Sequence, residues 1–556
     1  MQNTQASRSE LPLWRGTAAA LLIAGLLAGC GLPPMPDRTA TEALSAEQAL
    51  QTRLGQALEP LQQAHPGQSG IHMLADAHDA YAARALLARA AQRTLDVQYY
   101  IWRNDTTGHL LLDELLLAAD RGVRVRLLLD DGGTGGMDAM LAALDQHPQI
   151  EVRLFNPFAL RTPKVIGYVT DFARTQRRMH NKSYTADSAA TIVGGRNIGD
   201  EYFAASDGVL FADLDVVATG SVVSEVAAEF DRYWNSPSAY PAASLLPAMP
   251  QQAVDKVYAS LHADVNRPES QAYVQAVGRS RFSTDLLAGR LPLQWAETTL
   301  VSDDPAKVLR EAAPEDLLLS QLQPVIGQPQ QLLEVVSPYF VPTQAGVDAF
   351  AHLRRQGVRV RILTNSLEAT DVAVVHAGYE KYRKPLLKMG VELYEMRRQI
   401  DLRSQPAADE PDKTRKSKPA EKTPKHEAPS PAALSGSSAT TGSSGASLHA
   451  KTFAVDGKQL FVGSFNFDPR SAMLNTEMGV VIKDPALSQQ VSISLDQHLP
   501  RMAYKVQLDP QGRLSWTSQN PQPPQETQTF SADPGTSWWQ RFMVRVLSWL
   551  PIEGLL

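Results

Sequence analysis

The chain has 556 residues, which predicts two or more domains, and its apolar and charged contents are ordinary for a folded protein. The formal net charge of −6 lacks the basic excess of a dedicated nucleic-acid binder and argues against one, although a local basic groove stays compatible with it. With one cysteine, Cys30, the chain cannot form an intrachain disulfide.

The N-terminal residues have the features of an export signal. The apolar run GTAAALLIAGLLAG at 16–29 is short for a bilayer span but has the length and flanks of a signal's apolar region. LAGC, ending at Cys30, is similar to the lipobox of bacterial lipoproteins. This implies a signal peptide over 1–29, acylation of Cys30 and a body facing the periplasm. Gly31 and Leu32 follow Cys30, with no Asp at the second position, and by the usual sorting rule of that family this favours the outer membrane of a Gram-negative cell. An uncleaved anchor helix is the alternative.

Residues 30–69 are predicted to form a tether and a helix, and 70–240 a first α/β half. In that half, residues 82–102 indicate a helix leading into a strand, and HLLLDELLLAADRG at 109–122 indicates a second helix. The strand VRVRLLLDD follows directly. The order strand, helix, strand favours a βαβ unit in a largely parallel sheet.

The same order returns after a largely helical connecting region over 241–331. Residues 332–402 contain a strand, a helix and the strand VRVRILTNS, and the phrases RGVRVRLLLDD and QGVRVRILTNS begin at Arg121 and Gln356. The chain is therefore predicted to be an internal duplication. The second half continues over 448–530.

A low-complexity insertion interrupts the second half at 403–447. It is rich in Pro, Lys, Glu, Ser and Gly and nearly lacks large apolar residues. Such a segment cannot bury enough surface to offset its ordering entropy, so it is predicted to be a disordered surface loop. A regulatory or partner-binding segment is the alternative.

The C-terminal residues 536–556 are predicted to form an amphipathic helix. Tryptophan and other apolar residues recur at helical spacing, arginines lie beside them, and Ser537 with Gln540 resembles a capping box. A membrane-interface helix and a helix packed on the enzyme body both fit this pattern.

One phrase occurs in both halves. HNKSYTAD spans His180–Asp187, HAKTFAVD spans His449–Asp456, and GGRN or GSFN follows each at the same distance. The Asp-Gly pair after the second motif indicates a β-hairpin. On a strand, the His and Lys of each motif point to the same side.

Two such faces brought together suit a phosphodiester. Lys182 and Lys451 can hold the nonbridging oxygens, while one imidazole attacks phosphorus and the other protonates the leaving alcohol. Asp187 and Asp456 are expected to orient the imidazoles. A solvated strand with a turn aspartate explains one copy as well, but two copies with identical spacing favour a catalytic site.

The paired His-x-Lys-x4-Asp motifs resemble the phospholipase D superfamily from about Gly70 to Leu508. The stretch GSFNFDPRSAMLNTEMGVVI is similar to bacterial cardiolipin synthases. The resemblance implies an α/β fold of two duplicated halves, each a mixed, mostly parallel sheet flanked by helices. A pseudo-twofold would relate the halves around one shared active site.

The resemblance also implies roles for individual residues. Phosphatidyl transfer would proceed through a phosphohistidine without a metal ion or an organic cofactor. His180 would be the nucleophile and His449 the general acid and base. The two lysines would bind phosphate together with Asn197 and Asn466.

Further residues near the motifs are expected to contribute to the site. Gly195 stands where the second copy has Ser464, whose hydroxyl can bond to phosphate or water, so the two halves are not equivalent. Glu477 and Asp215 follow the motifs and are expected to orient a histidine or the lipid head group. Carboxylates that only neutralise the lysines are the alternative.

The predicted reaction forms cardiolipin from phosphatidylglycerol and a second phospholipid, either phosphatidylglycerol or phosphatidylethanolamine, with the resemblance mildly favouring the latter. Phospholipid substrates and a membrane are the expected partners, the membrane through acylated Cys30 and, in one alternative, the C-terminal helix. No nucleic-acid partner is expected. A phospholipase D that uses water, a nuclease of the superfamily and a non-catalytic lipid-binding scaffold remain open.

Overall fold

The computed structural model describes residues 32–35, 38, 40–205, 209–287, 290–398, 445–519, 527–550 and 553–555. The predicted signal peptide, Cys30 and residues 403–444 of the predicted insertion lie outside the described residues.

The first half comprises nine strands and nine helices among the described residues. The strands are β1 (Ser69–Leu74), β2 (Thr94–Ile101), β3 (Arg124–Gly133), β4 (Ile150–Phe155), β5 (Ser183–Ala186), β6 (Ala190–Gly194), β7 (Val209–Ala212), β8 (Asp215–Gly220) and β9 (Ala239–Pro241). The helices are α1 (Ala46–Leu50), α2 (Arg53–Ala64), α3 (Ala77–Ala90), α4 (Thr106–Asp120), α5 (Asp138–Asp145), α6 (Lys164–Thr170), α7 (Phe172–Thr175), α8 (Asp200–Phe203) and α9 (Ser221–Trp234).

The connecting region and second half follow. The strands are β10 (Gln294–Ser302), β11 (Leu332–Val336), β12 (Arg359–Asn365), β13 (Glu392–Met396), β14 (Gly445–Leu448), β15 (Thr452–Val455), β16 (Gln459–Gly463), β17 (Met478–Lys483), β18 (Ala503–Leu508), β19 (Leu514–Gln519) and β20 (Thr527–Phe530). The helices are α10 (Gln251–Val265), α11 (Pro268–Gly278), α12 (Arg281–Leu287), α13 (Leu318–Ile326), α14 (Thr343–Arg355), α15 (Ala373–Glu380), α16 (Arg383–Lys388), α17 (Pro469–Met473), α18 (Pro485–Met502) and α19 (Trp538–Leu547). Short 3₁₀ helices lie at Ala242–Ser244, Pro305–Leu309, Pro314–Asp316 and Glu553–Leu555.

The sheet confirms the duplication. β2, β3 and β4 pair in parallel, as do β11, β12 and β13. From β2 the sheet continues antiparallel through β5, β6 and β8, and from β11 it continues in the same way through β15, β16 and β17. Each motif hairpin therefore occupies the same place in its half.

The sheet is mixed rather than mostly parallel, since parallel pairing in it is confined to those two groups of three strands. β10 pairs with β1 on one side and β17 on the other, which joins both halves into one 18-stranded sheet. The predicted connecting region thus supplies a central strand. This strand was missed because its polar and apolar residues do not alternate strictly.

The halves pack through apolar side chains of their central strands. Each half has its own core, and a third buried cluster joins them, with Val193 and Val216 from the first half and Val462 and Val480 from the second. This shared cluster fixes the two motif hairpins relative to one another. Sheet contacts of this kind bury apolar surface that neither half could bury alone.

The insertion ends before the predicted residue 447, because residues 445–447 belong to a second, small sheet. β14 pairs in parallel with β7 of the first half. Ser447 is buried and its hydroxyl donates to the Ala369 carbonyl at 2.9 Å, so residues 445–447 are ordered structure and not part of a loop. Tertiary pairing overrides their small, polar composition.

The C-terminal helix α19 has the predicted capping box, in which Ser537 and Gln540 bond reciprocally. Val544 is buried against Leu367 and Ala377, so one face packs on the second half. Large apolar residues are exposed on α19, namely Trp538, Trp539, Phe542 and Met543, and just after its end, namely Trp549 and Leu550. Among the described residues, no helix is long and apolar enough to span a membrane.

Candidate active site

His180 lies immediately before β5, at the contact between the halves. Its backbone N–H donates to the Thr476 carbonyl at 2.9 Å, and Nδ1 lies 2.7 Å from Glu477 Oε2. Thr476 and Glu477 belong to the second half. The imidazole is 6% exposed, so a first-half histidine is held by second-half groups in a nearly buried position.

His449 repeats this arrangement in the opposite direction. Its backbone N–H donates to the Ala212 carbonyl at 2.8 Å, and Nδ1 lies 2.5 Å from Asp213 Oδ2. Ala212 ends β7, whose pairing with β14 brings the residue before His449 alongside it. A second-half histidine is therefore oriented by a first-half carboxylate.

Each motif lysine folds back on its own histidine. Lys182 Nζ donates to the His180 carbonyl, and Lys451 Nζ donates to the His449 carbonyl. Lys451 Nζ also lies 2.9 Å from His449 Nδ1. The expectation that His and Lys project together is met, although both residues of each motif precede the strand instead of lying on it.

The difference between Gly195 and Ser464 has a steric cause. Ser464 Oγ donates to Glu477 Oε2 at 2.5 Å and accepts the Met478 N–H at 3.0 Å, so it positions Glu477 and does not point to solvent. On the other side, a Cβ on Gly195 would lie 2.2 Å from Asp213 Oδ1. Aspartate is shorter than glutamate, so its backbone must approach more closely, and only glycine leaves the space.

The Asn197 side chain is held beside the first motif by two hydrogen bonds. Its Oδ1 accepts the Ile101 N–H at 3.2 Å, and its Nδ2 donates to the Tyr202 hydroxyl at 3.0 Å. Asn466 is also buried, and its N–H donates to Ser471 Oγ at 3.3 Å. Both asparagines therefore have rigid positions beside the motifs.

Two tyrosines that the sequence did not single out pack on the histidines. Tyr100 meets His180 edge to face at 5.0 Å between ring centroids, and Tyr202 meets His449 in the same way at 5.1 Å. The Tyr100 ring also lies under Lys182 Nζ at 5.6 Å. Rings at this spacing restrict imidazole rotation and exclude water. The sequence predicts a strand for the aromatic residues before Trp102, and a strand pattern does not indicate contact with a motif histidine.

Burial, followed by the charges of Lys182 and Lys451, lowers the pKa of His180 well below its usual value. Burial and Lys451 lower the pKa of His449 to about 3. Burial also lowers the pKa of Lys182 to about 7 and of Lys451 to about 8. Without a bound anion, both imidazoles are therefore neutral at pH 7.

The two carboxylates differ in their readiness to ionise. Burial raises the pKa of Glu477 to about 7, and Lys182 only partly offsets it. Burial acts in the same direction on Asp213, but His449, Lys451 and Arg196 hold the pKa of this carboxyl well below its usual range. Asp213 is thus anionic beside His449 at pH 7. Glu477, with a pKa of about 7, is present beside His180 in both its ionised and its protonated form at that pH.

Asp187 and Asp456 do not orient the histidines, contrary to the expectation from sequence. Asp187 accepts the backbone N–H groups of residues 92, 93 and 94 at 2.7–2.9 Å, and Asp456 accepts those of 330, 331 and 332 at 2.7–3.2 Å. Each follows its strand, whereas the histidine precedes it, and an extended strand rises roughly 3.3 Å per residue. Their role is to fix the start of β2 and of β11.

Asp215 also does not orient a histidine, contrary to the expectation from sequence. Its carboxylate lies 2.9 Å from Arg84 and 3.4 Å from Arg196, away from both histidines. The sheet register shows why Asp213 is the equivalent of Glu477. Gly194 pairs with Asp215 and Gly463 with Gly479, so the residue two positions earlier in each case faces the motif.

The site combines two neutral imidazoles, two lysine ammoniums and two carboxylates on the far side of the rings. With Nδ1 facing a carboxylate, Nε2 of each imidazole lies on the side of the ring away from that carboxylate. One Nε2 can attack an electrophilic phosphorus and the other can exchange a proton with an alcohol. The lysines can balance charge on the phosphoryl oxygens. A duplicated fold with this shared pocket defines the phospholipase D-like class.

Comparisons with known proteins agree. The family model described as "Cardiolipin synthase, PLD-like domain" matches residues 85–234, 322–407 and 410–499. Cardiolipin synthase C of Escherichia coli is 47% identical over 91% of this chain and all of its own length. Cardiolipin synthase B of Shigella flexneri is 22% identical over 77% of this chain and 79% of its own length.

Among solved structures, the phosphatidylserine synthase of Haemophilus influenzae superposes with a TM-score of 0.53 at 14% identity, covering 91% of this chain and 100% of that one, which supports the fold alone. The chain therefore belongs to the cardiolipin synthase family of phospholipase D-like proteins, as the motifs predicted.

Proposed function

We propose that this protein forms cardiolipin by transferring a phosphatidyl group to the free glycerol hydroxyl of phosphatidylglycerol. As a member of the cardiolipin synthase family, it is a phosphatidyltransferase that acts on phospholipids. The observation that carries the proposal is the reciprocal pairing of His180 with Glu477 and of His449 with Asp213 across the two halves. The donor is phosphatidylglycerol or phosphatidylethanolamine.

In the first step, His180 Nε2 attacks the phosphorus of the donor lipid. The N–P bond forms, the P–O bond to the head group breaks, and protonated His449 gives its proton to the leaving alcohol. Lys182 and Lys451 hold the nonbridging oxygens. Because the bound phosphodiester adds negative charge beside His449, substrate binding favours the imidazolium that this step needs.

In the second step, the roles reverse. Neutral His449 takes the proton of the glycerol hydroxyl of phosphatidylglycerol, and the oxygen attacks phosphorus. The N–P bond breaks, which releases cardiolipin and restores His180. Water in place of the glycerol hydroxyl would give phosphatidic acid, so exclusion of water by Tyr100 and Tyr202 bears directly on the outcome.

The difference between the carboxylates supports His180 as the nucleophile. Asp213 stays anionic and can stabilise the His449 imidazolium, as an acid and base catalyst requires. Glu477 has a pKa of about 7 and stabilises an imidazolium less, which suits a histidine that must attack as a neutral base.

The test uses the purified chain in vesicles of phosphatidylglycerol alone or with phosphatidylethanolamine, with products identified by mass spectrometry. Cardiolipin from the wild type, and none from His180→Ala or His449→Ala, is the expected result. Its lipid requirement would identify the donor. Phosphatidic acid without cardiolipin would mean hydrolysis and would contradict the transfer.

We also place the protein on a membrane, through an acylated Cys30 and through α19, with its body in the periplasm and its anchor in the outer membrane. The lipobox-like LAGC supports the first anchor, and the exposed aromatic side of α19 supports the second. Flotation with vesicles should weaken when Trp538 and Trp539 are both changed to Ser. Unchanged flotation of a variant that also lacks Cys30 would contradict an anchoring role for α19.

A further inference from the structure

Asp371, on a loop of the second half, has a carboxylate that the proposed mechanism does not use. Asp371 lies in the loop between β12 and α15, and the Tyr339 hydroxyl donates to both of its oxygens at 2.9 and 2.8 Å. Both side chains are half-buried. A carboxylate held in this way has a fixed direction but keeps accepting capacity, because each oxygen has two lone pairs.

The loop is tied to the strand that leads into His449. Asn365 Nδ2 donates to the Leu448 carbonyl, and the Leu448 N–H donates back to Asn365 Oδ1, both at 3.0 Å. Ser447 Oγ donates to the Ala369 carbonyl at 2.9 Å. Asp371 is therefore carried by a segment whose position depends on the residues next to His449.

Tyr339 is tied to the second motif from the other direction. Ser337 Oγ donates to the Tyr339 carbonyl at 2.7 Å and accepts the Phe467 N–H at 3.0 Å, one residue beyond Asn466. Ala369, which accepts the Ser447 hydroxyl, lies two residues before Asp371, and Ser447 lies two residues before His449. Asp371 and Tyr339 are thus held by two segments that contact residues next to the second motif.

Among the described residues of the first half, the position equivalent to Asp371 carries no carboxylate. The repeated phrases that contain β3 and β12 align Arg124 with Arg359, so Asp371 corresponds to Gly136 in the loop GGTGG. Gly136 has a φ of +75° and no side chain. The carboxylate therefore distinguishes the His449 side of the cleft from the His180 side.

We propose that Asp371, oriented by Tyr339, accepts hydrogen bonds from the polar end of the head-group alcohol. The inference rests on the proposed function, in which His449 exchanges its proton with that alcohol and so fixes where the alcohol lies. Glycerol and ethanolamine both carry a donor on the carbon after the reacting C–O, a hydroxyl in one and an ammonium in the other. Water and simple alcohols lack such a donor.

The test compares three donors with identical acyl chains, namely phosphatidylethanolamine, phosphatidylglycerol and phosphatidylethanol, whose head group has no second polar group. Cleavage of each donor is followed in mixed vesicles with the full chain and with Asp371→Asn. Loss of a charged hydrogen bond should lower kcat/KM for phosphatidylethanolamine roughly 10-fold relative to phosphatidylethanol. The ratio for phosphatidylglycerol should fall less, because an amide oxygen still accepts from a hydroxyl.

Two further variants sharpen the result. Tyr339→Phe should lower the same ratios by a smaller factor, because the carboxylate remains but loses its fixed direction. Glu368→Gln is the matched control, since this carboxylate in the same loop accepts the Tyr504 hydroxyl at 2.8 Å and should leave the ratios unchanged. A fall for phosphatidylethanolamine alone would assign the ammonium as the ligand.

Equal changes for all three donors in Asp371→Asn would overturn the inference, because the carboxylate would then act on structure or on Lys451 and not on the head group. The comparison is internal to each variant, so a partly unfolded sample changes all three rates together. Because donor cleavage is measured, phosphatidic acid without cardiolipin would contradict the proposed transfer while the ratios still decide the role of Asp371.

Discussion

Glu477 of the second half lies 2.7 Å from Nδ1 of His180 in the first half, and Asp213 and His449 form the opposite pair at 2.5 Å. Among the described residues, neither motif histidine pairs with a carboxylate of its own half. The duplication therefore yields one site instead of two, and the reaction requires both halves in their packed arrangement.

Glu477→Gln is expected to lower kcat roughly 10²- to 10⁴-fold, because a neutral amide no longer fixes the His180 tautomer that leaves Nε2 unprotonated. The substitution keeps size and shape, so the melting temperature should change little. Cardiolipin formation in vesicles and thermal unfolding measure the two effects. A kcat close to that of the wild type would contradict the orienting role.

Asp213→Asn and Asp215→Asn separate two carboxylates that lie two residues apart. Asp213→Asn should lower kcat strongly, since His449 loses its anion. Asp215→Asn should instead lower stability, because Arg84 and Arg196 lose a buried partner, while the folded enzyme keeps most of its kcat. The reverse pattern would show that Asp215 serves His449.

Gly195→Ser should reduce activity at least as much as loss of Ser464 does. The added Cβ would lie 2.2 Å from Asp213 Oδ1, so the carboxylate must move away from His449. Activity assays of Gly195→Ser beside Ser464→Gly measure this. Full activity in Gly195→Ser would mean that the backbone near Asp213 relaxes without cost.

As the pH rises, the activity should fall at a lower pH than it would if the motif lysines had ordinary pKa values. Burial lowers the pKa of Lys182 to about 7 and that of Lys451 to about 8, and a lysine is cationic only below its pKa, so phosphate binding weakens as the pH rises through these values. The pH profile of kcat/KM reports groups of the free enzyme and is the measurement. A profile that stays flat to pH 10 would contradict the assignment.

The sequence was sufficient to predict the duplication, the two hairpins and the proximity of each motif histidine to its lysine, because these features repeat at fixed spacing. The catalytic roles of these four residues stay predictions. The sequence failed for Asp187 and Asp456, whose backbone partners at the start of β2 and β11 are distant in sequence. A turn aspartate that caps a neighbouring strand has the same local pattern as a catalytic one.

The carboxylates of the site depend on strand register, which a single sequence does not give. Glu477 was singled out by its place after the second motif, but the first-half candidate was taken two residues too late, at Asp215 and not Asp213. Tyr202 and Tyr100 were missed for related reasons, since Tyr202 reaches His449 only through packing of the halves and Tyr100 reaches His180 through the pairing of β2 with β5.

The central claim, a covalent phosphatidyl intermediate on His180, is tested most directly by trapping it. His449→Asn should slow the second step, and a labelled donor whose leaving group needs no proton, such as a phosphatidyl nitrophenol, should still let His180 attack. Rapid quenching after mixing should then leave label on the protein. Peptide mass spectrometry should locate the phosphatidyl adduct on His180, with none in His180→Ala. An adduct elsewhere, or cardiolipin formed without any adduct, would contradict the account.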